Sequence, residues 1–255
     1  DIATTILNTA TEQADTRTWS LLPAQIKMAR VFLAPGEYDI DFYNYDARGI
    51  PLDTYRFEKV KLNLEKRGFQ VTCFQTGIEA ADYLNHQIDG KTVGFGGSMT
   101  LEEMGLYEML SEHNTVSWHH RIPANKTHVE VRDEANAAQI YISSVNGLAE
   151  TGEIINIDNN CNRVAAIFYG HEKVYLVIGK NKLGKDYDEA FWRARNIASP
   201  LNAKRLNRKT PCAVNADKCY DCNSPERICR GLAVLWERPM STDVEVILVE
   251  ENLGY

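Results

Sequence analysis

The chain has 255 residues, of which 44% are hydrophobic, 25% charged and 9% aromatic. That is the composition of a folded globular protein with a sizeable core, and it excludes a disordered tail or a disulfide miniprotein. Acidic residues outnumber basic ones by 35 to 28, a net charge of −7, so no global field favours a polyphosphate backbone and nucleic acid is not the expected partner.

Residues 1–50 read as an N-terminal helical arm. A weak helical stretch lies near 2–11, and a stronger one starts at Ser20, where Leu21, Leu22, Ile26, Ala29 and Phe32 recur at helical spacing. Turn chemistry follows at Pro35-Gly36 and Gly49-Ile50-Pro51. Residues 51–255 read as an α/β domain. It opens with a helix through Val60 and Leu64 that stops at Gly68, a strand over 69–74 and a helix over 79–86. A strand over 91–95 runs through a glycine loop into a helix carrying Leu101, Met104, Leu106, Met109 and Leu110, with Ser98 or Thr100 as its cap. Beyond it the pattern predicts a helix over 129–138, strands over 139–143, 153–157, 163–168 and 173–178, and a helix over 186–205 broken at Pro200. Strands over 231–237 and 244–249 close the series. This order predicts a mixed sheet covered by helices. The longest apolar runs, at 174–178 and 246–249, fall far short of the about 20 residues a membrane-spanning helix needs, and a cytoplasmic location is expected.

Four of the six cysteines, Cys212, Cys219, Cys222 and Cys229, lie in one loop-like segment, residues 212–229, spaced C-x6-C-x2-C-x6-C. Thiolates favour soft or borderline metals, and a two-residue gap lets neighbouring sulfurs face one centre. The spacing is similar to the iron–sulfur loop of certain base-excision DNA glycosylases, whose last gap is one residue shorter. Zinc ribbons instead use paired two-residue gaps further apart. A [4Fe-4S] cluster is the expectation, with zinc as the alternative and disulfides or free thiols as the remaining reading. Lys204, Arg205, Arg208 and Lys209 would offset cluster charge. Cys73 and Cys161 stand alone and are expected to be buried as small hydrophobes.

The loop Gly94-Phe95-Gly96-Gly97-Ser98-Met99-Thr100 follows a strand and precedes a helix. Backbone N–H groups at Gly94, Gly96 and Gly97 and the hydroxyls of Ser98 and Thr100 can converge there on a small carboxylate or phosphate. The segment from Ser143 through Asn146, Glu150 and Thr151 to Gly152 also follows a strand, where open α/β sheets place ligand loops. Asn146 and Thr151 are its candidate ligand contacts. Asn156, Asp158, Asn159, Asn160, Asn162 and Arg163 follow within a few residues and could meet the glycine loop at one sheet edge, but 158–162 is also a typical hairpin connection, and that reading is favoured for this second segment. His119 and His120, if on a strand, would face opposite sides and not share an ion.

The runs Gly94-Phe95-Gly96-Gly97-Ser98-Met99-Thr100-Leu101-Glu102-Glu103-Met104-Gly105, Gly147-Leu148-Ala149-Glu150-Thr151-Gly152 and Ala198-Ser199-Pro200-Leu201-Asn202-Ala203-Lys204-Arg205 together resemble the LUD-domain (DUF162) family of lactate-utilisation proteins, over roughly residues 55–255. The resemblance implies an α/β three-layer sandwich similar to the sugar-phosphate isomerase and CoA-transferase superfamily. It also implies a cytoplasmic bacterial protein, a redox or accessory component of L-lactate oxidation to pyruvate with iron–sulfur redox subunits as partners. Two alternatives stay open: a non-catalytic ligand-binding module with structural zinc, and an isomerase- or CoA-transferase-like enzyme in which Glu150 is base or nucleophile.

Overall fold

The computed structural model describes residues 52–255, with side chains from Phe57 onward; the helical arm expected over 1–50 lies outside the described residues. Every described strand belongs to the compact unit Arg56–Tyr255.

Helix α1 (Leu52–Lys66) buries Phe57, Val60 and Leu64, which recur along one stripe. The chain then turns at Gly68, whose φ of +83° is the left-handed value that ends many helices. Strand β1 (Gln70–Phe74) leads to α2 (Gly77–Gln87). A capping box starts α2: Thr76 Oγ1 accepts from the Glu79 N–H, and the Glu79 carboxylate accepts from the Thr76 N–H. Strand β2 (Thr92–Phe95) precedes α3 (Met99–Glu103) and α4 (Leu106–Ser111). These replace the single helix expected there, because Gly105 takes φ +63° between them. Next come β3 (Thr115–Trp118), α5 (His128–Asn136), β4 (Ile140–Ser143), β5 (Gly147–Ala149) and β6 (Ile154–Asp158). After α6 (Asn162–Phe168) and β7 (Lys173–Gly179), a short turn over Lys180–Lys182 leads to β8 (Leu183–Gly184), α7 (Tyr187–Arg193), α8 (Ser199–Arg205) and α9 (Pro211–Asn215). Strands β9 (Gly231–Leu235) and β10 (Asp243–Val249) complete the order.

Two expectations are corrected. Residues 163–168 form α6, not a strand: the run is too short for its apolar residues to reveal a period, and Val164 and Ile167 are buried at helical spacing. The break foreseen at Pro200 is a widened turn over Ala194–Ala198 that joins α7 to α8. The Ser199 N–H and its hydroxyl both donate to the Ala194 carbonyl five residues back, and Pro200, with no N–H to place, sits in the first turn of α8.

The main sheet has six strands in the order β1-β10-β7-β4-β2-β3, every neighbouring pair parallel. Mixed pairing is confined to a second sheet, β8-β5-β6-β9, where β5–β6 and β6–β9 are antiparallel and β5–β8 parallel. A parallel sheet needs cover on both faces. Along β7, Val174, Leu176 and Ile178 join the core under α1 and α6, while Tyr175 and Val177 join the core under α2, α3 and α4. The result is a three-layer α/β sandwich. Because its strands run one way, the segments leaving β2, β3, β4 and β7 emerge on one edge. Adjacent strands β2 and β4 send the chain to opposite sides, β2 to β3 and β4 to β7, and the crevice left between such strands is where open α/β sheets bind ligands.

Candidate functional site

A cavity of about 350 Å³ opens at this edge. Gly97 and Ser98 follow β2, His119 and His120 follow β3, Ser144 and Asn146 follow β4, Asp158 to Arg163 follow β6, and Lys182 follows β7. Arg132 from α5 and Arg205 and Arg208 at the end of α8 complete the polar wall. Four lining side chains, Arg132, Arg163, Arg205 and Arg208, carry guanidiniums, Lys182 adds an amine, and one, Asp158, is a carboxylate. The local field is thus opposite in sign to that of the acidic chain as a whole.

The glycine loop builds the rim through close packing. A Cβ on Gly94 would run into the Ala135 carbonyl of α5, and one on Gly96 would lie 2.5 Å from Ser143 Oγ. The Gly96 N–H donates to the Ile142 carbonyl at 2.9 Å and its carbonyl accepts from Trp118 Nε1 at 3.1 Å. Gly94 and Gly96 are therefore spent on positioning, while Gly97 and Ser98 line the cavity. Ser98 Oγ accepts from the Leu101 N–H as the cap of α3. With only five residues in α3, side-chain charge and not a helix terminus sets the potential.

Lys182 is 3% exposed. Its Nζ donates to Thr100 Oγ1 and Ser144 Oγ, each at 2.8 Å. Burial, with the Arg193 and Arg163 guanidiniums nearby, pushes the ammonium down to about 7, against a smaller upward pull from Glu103. Arg163 lies beside it: Nη1 donates to the Ser144 carbonyl (3.1 Å) and to Asn156 Oδ1, and Nη2 to Asn146 Oδ1 (3.0 Å) and the Ile157 carbonyl (2.8 Å). Its Nε faces Asp158 Oδ2 at 3.5 Å. Arg193 ties the loops after β4 and β7 together by donating to the Asn146 carbonyl at 2.8 Å and the Asn181 carbonyl at 2.5 Å. Arg132 Nε is buried without a hydrogen-bond partner. Burial and neighbouring cations, His120 first, push His119 down to about 4, and burial lowers His120 as well.

The structure brings together some expected contacts and separates others. Gly97, Ser98 and Asn146 reach the cavity, and Thr100 sits beneath it against Lys182. Glu150 and Thr151 do not line it: both lie in the turn between β5 and β6, on the small sheet. Glu150 Oε2 pairs there with Lys59 of α1 at 3.2 Å, and Thr151 Oγ1 donates to the Glu153 carboxylate. Residues 158–162 are not a hairpin; they join β6 to α6 and form cavity wall. His119 and His120 lie just past the end of β3, so both rings reach the same cavity, 4.9 Å apart. Lys182 and Arg132 escaped the sequence reading, whereas Arg163 was among the polar groups expected to be able to meet the glycine loop, a possibility set below the hairpin reading. The one available hint to Lys182 was position, since it follows closely on a strand.

All six cysteines are free thiols. Cys73, on an edge strand, and Cys161, at the left-handed cap of α6, are exposed and not buried as expected. In the four-cysteine segment Cys219 Sγ accepts from Arg195 Nε at 3.3 Å and from the Asp221 N–H at 3.4 Å, and Cys212 Sγ lies 3.2 Å from Thr210 Oγ1. Arg227 donates to the carbonyls of Cys222 and Cys229, each at 2.9 Å. Among the described residues, no three His, Cys, Asp or Glu side chains are gathered about one point where an ion could sit. The donor set suits a thiophilic metal, but its arrangement here is not a closed coordination sphere. Among the described residues, no helix is long and apolar enough to cross a membrane.

The model of the LUD domain matches residues 57–249 of this chain. No curated protein matches it significantly. Among solved structures, the chain is similar to a DUF162 family protein from Deinococcus radiodurans, at 12% sequence identity and a TM-score of 0.44, over 77% of this chain and 97% of that one. The match to the domain model spans most of the sandwich and both walls of the cavity, and the chain belongs to the LUD-domain family.

Proposed function

We propose that this lactate-utilisation-type protein is a redox or accessory component of L-lactate oxidation to pyruvate, and that its cavity takes a small carboxylate or phosphate. The observation that carries the reading is the lining of the cavity: four guanidiniums and the Lys182 amine against one carboxylate, at the switch point of a parallel sheet, in a chain of net charge −7. The Ser98 hydroxyl, histidine rings kept neutral at pH 7 and the Arg132 guanidinium, whose Nε has no partner, supply donors for an anion's oxygens. Calorimetric titration with L-lactate, pyruvate and inorganic phosphate tests this. Saturable binding of at least one, weakened in Arg132→Met, is expected; no binding of any at millimolar concentration overturns it. Glu150 stands apart from this lining, which favours binding over an isomerase or acyl-transfer role for that carboxylate.

A second reading concerns residues 212–229. Four thiols within one segment, with Arg195 at Cys219 and Arg227 at Cys222 and Cys229, support a [4Fe-4S] cluster, with zinc as the alternative. When bound, the cluster would supply one-electron transfer. The two guanidiniums would offset thiolate charge, and gathering the thiols would be coupled to metal binding. Anaerobic reconstitution with iron and sulfide should yield visible thiolate-to-iron absorbance and stoichiometric iron. A colourless protein with one zinc selects the alternative, and four titratable thiols after both treatments refute either metal.

A further inference from the structure

The amine of Lys182 is set up for a task that anion binding alone does not need. Two hydroxyls receive it, and both have their hydrogens committed elsewhere. Ser144 Oγ is 2.6 Å from the Val177 carbonyl, which can only accept, so the serine donates there. Thr100 Oγ1 has the Leu253 carbonyl at 3.2 Å and Ser144 Oγ at 3.3 Å as acceptors. Each hydroxyl therefore offers Lys182 a lone pair, and together they take up two N–H bonds. A neutral amine has two N–H bonds and one lone pair, so these two acceptors satisfy it; among the described residues nothing claims the lone pair, and no third acceptor meets the extra N–H of the ammonium form. Among the described residues no carboxylate forms an ion pair with Lys182, and the residue is 3% exposed at the wall of the cavity. The nearest charged groups, Arg163 and Arg193, oppose protonation, and Glu103 favours it less strongly.

We infer that Lys182 captures the carbonyl carbon of a small 2-oxo acid as an imine, with the acid's carboxylate held by the cationic wall of the same cavity. The amine lone pair adds to the carbonyl carbon, the carbonyl oxygen takes up protons and leaves as water, and a carbon–nitrogen double bond remains. No electrons are gained or lost, and no co-reactant is needed. Water reverses the step. This inference rests on the anion-binding reading of the cavity and adds the substrate class. Ready access to a neutral amine supports it, since at pH 7 a group titrating near 7 is neutral on the order of a thousandfold more often than an ordinary lysine.

The test is reductive trapping. The protein is incubated at pH 7 with pyruvate and sodium cyanoborohydride, digested, and the modified lysines are located by mass spectrometry. Pyruvate and L-lactate affinities are measured alongside by calorimetry. Lys182 is expected to label at least about tenfold faster than any other lysine. L-Lactate, which lacks the carbonyl, should compete without forming an adduct. Lys182→Met should abolish the adduct, and mapping in the unaltered protein gives the same answer if that variant does not fold. Binding of both acids with labelling spread evenly over surface lysines, or with none, overturns the inference and leaves the anion site standing. Binding of neither acid, with no selective labelling, overturns both.

Discussion

Replacing Lys182 by Met gives a change in stability whose sign and pH window follow from the buried amine. The ammonium is held down at about 7 in the folded protein against 10.5 for an ordinary lysine. In that interval the unfolded chain binds the proton that the folded chain refuses, so stability rises with pH. Below about pH 7 the folded state bears the whole cost of burying the charge, about 5 kcal/mol at about 1.4 kcal/mol per tenfold. The cost fades as the pH climbs and is gone above 10.5. Methionine has no such proton. Urea unfolding of both proteins should therefore show the wild type gaining about 2 kcal/mol on the variant between about pH 7 and pH 9, and nothing further on it between about pH 6 and pH 5, where both states of Lys182 are protonated. The two stability curves running parallel from pH 7 to pH 9 would refute the reasoning, since an amine free to ionise in place has no linkage to folding.

Binding should show the opposite trend. As the pH falls from about 8 to 6, Lys182 gains its proton while His119, titrating at about 4, stays neutral. L-Lactate affinity should then rise by up to about tenfold in calorimetry, a dependence that is reduced in Lys182→Met. Gly96→Ala forces a methyl to within 2.5 Å of Ser143 Oγ and 3.1 Å of Arg163 Cδ; a loss of about 1–3 kcal/mol in stability and weaker lactate binding are expected from melting and titration. Glu150→Gln leaves the cavity lining intact, so lactate and phosphate affinities should match the wild type. Cys219→Ser, which removes the thiol facing Arg195, should abolish iron incorporation on anaerobic reconstitution, as read by absorbance and iron assay.

The sandwich was largely legible because its signals are local. Alternating apolar strands, the stop at Gly68 and the capping residue Ser98 each act within a few residues. The glycine loop was legible for the same reason, although Gly94 and Gly96 turned out to serve backbone approach and not ligand donation. What stayed hidden was convergence at long range. Lys182 sits in Gly179-Lys180-Asn181-Lys182, which by composition is a solvated turn; only the closing of Thr100, Ser144 and Leu253 around it, from three distant parts of the chain, buries the amine. Arg163 fell in an apolar run too short to show its period and was assigned to a strand, which concealed that it serves four acceptors. Glu150 drew attention as an ionisable group in the segment after the strand at 139–143, but a short unforeseen strand, β5 of the small sheet, intervenes and carries it away from the cavity.

The state of Arg163 bears on selectivity. Four of its N–H groups are donated to protein acceptors and the fifth faces Asp158, so this guanidinium lends the chamber a permanent potential without gripping whatever enters. A recess polarised in this manner sorts its guests by sign before outline. Discrimination among similarly sized acids must then come from groups less fully committed, chiefly the Arg132 guanidinium, whose Nε has no partner, and the Lys182 amine with its lone pair.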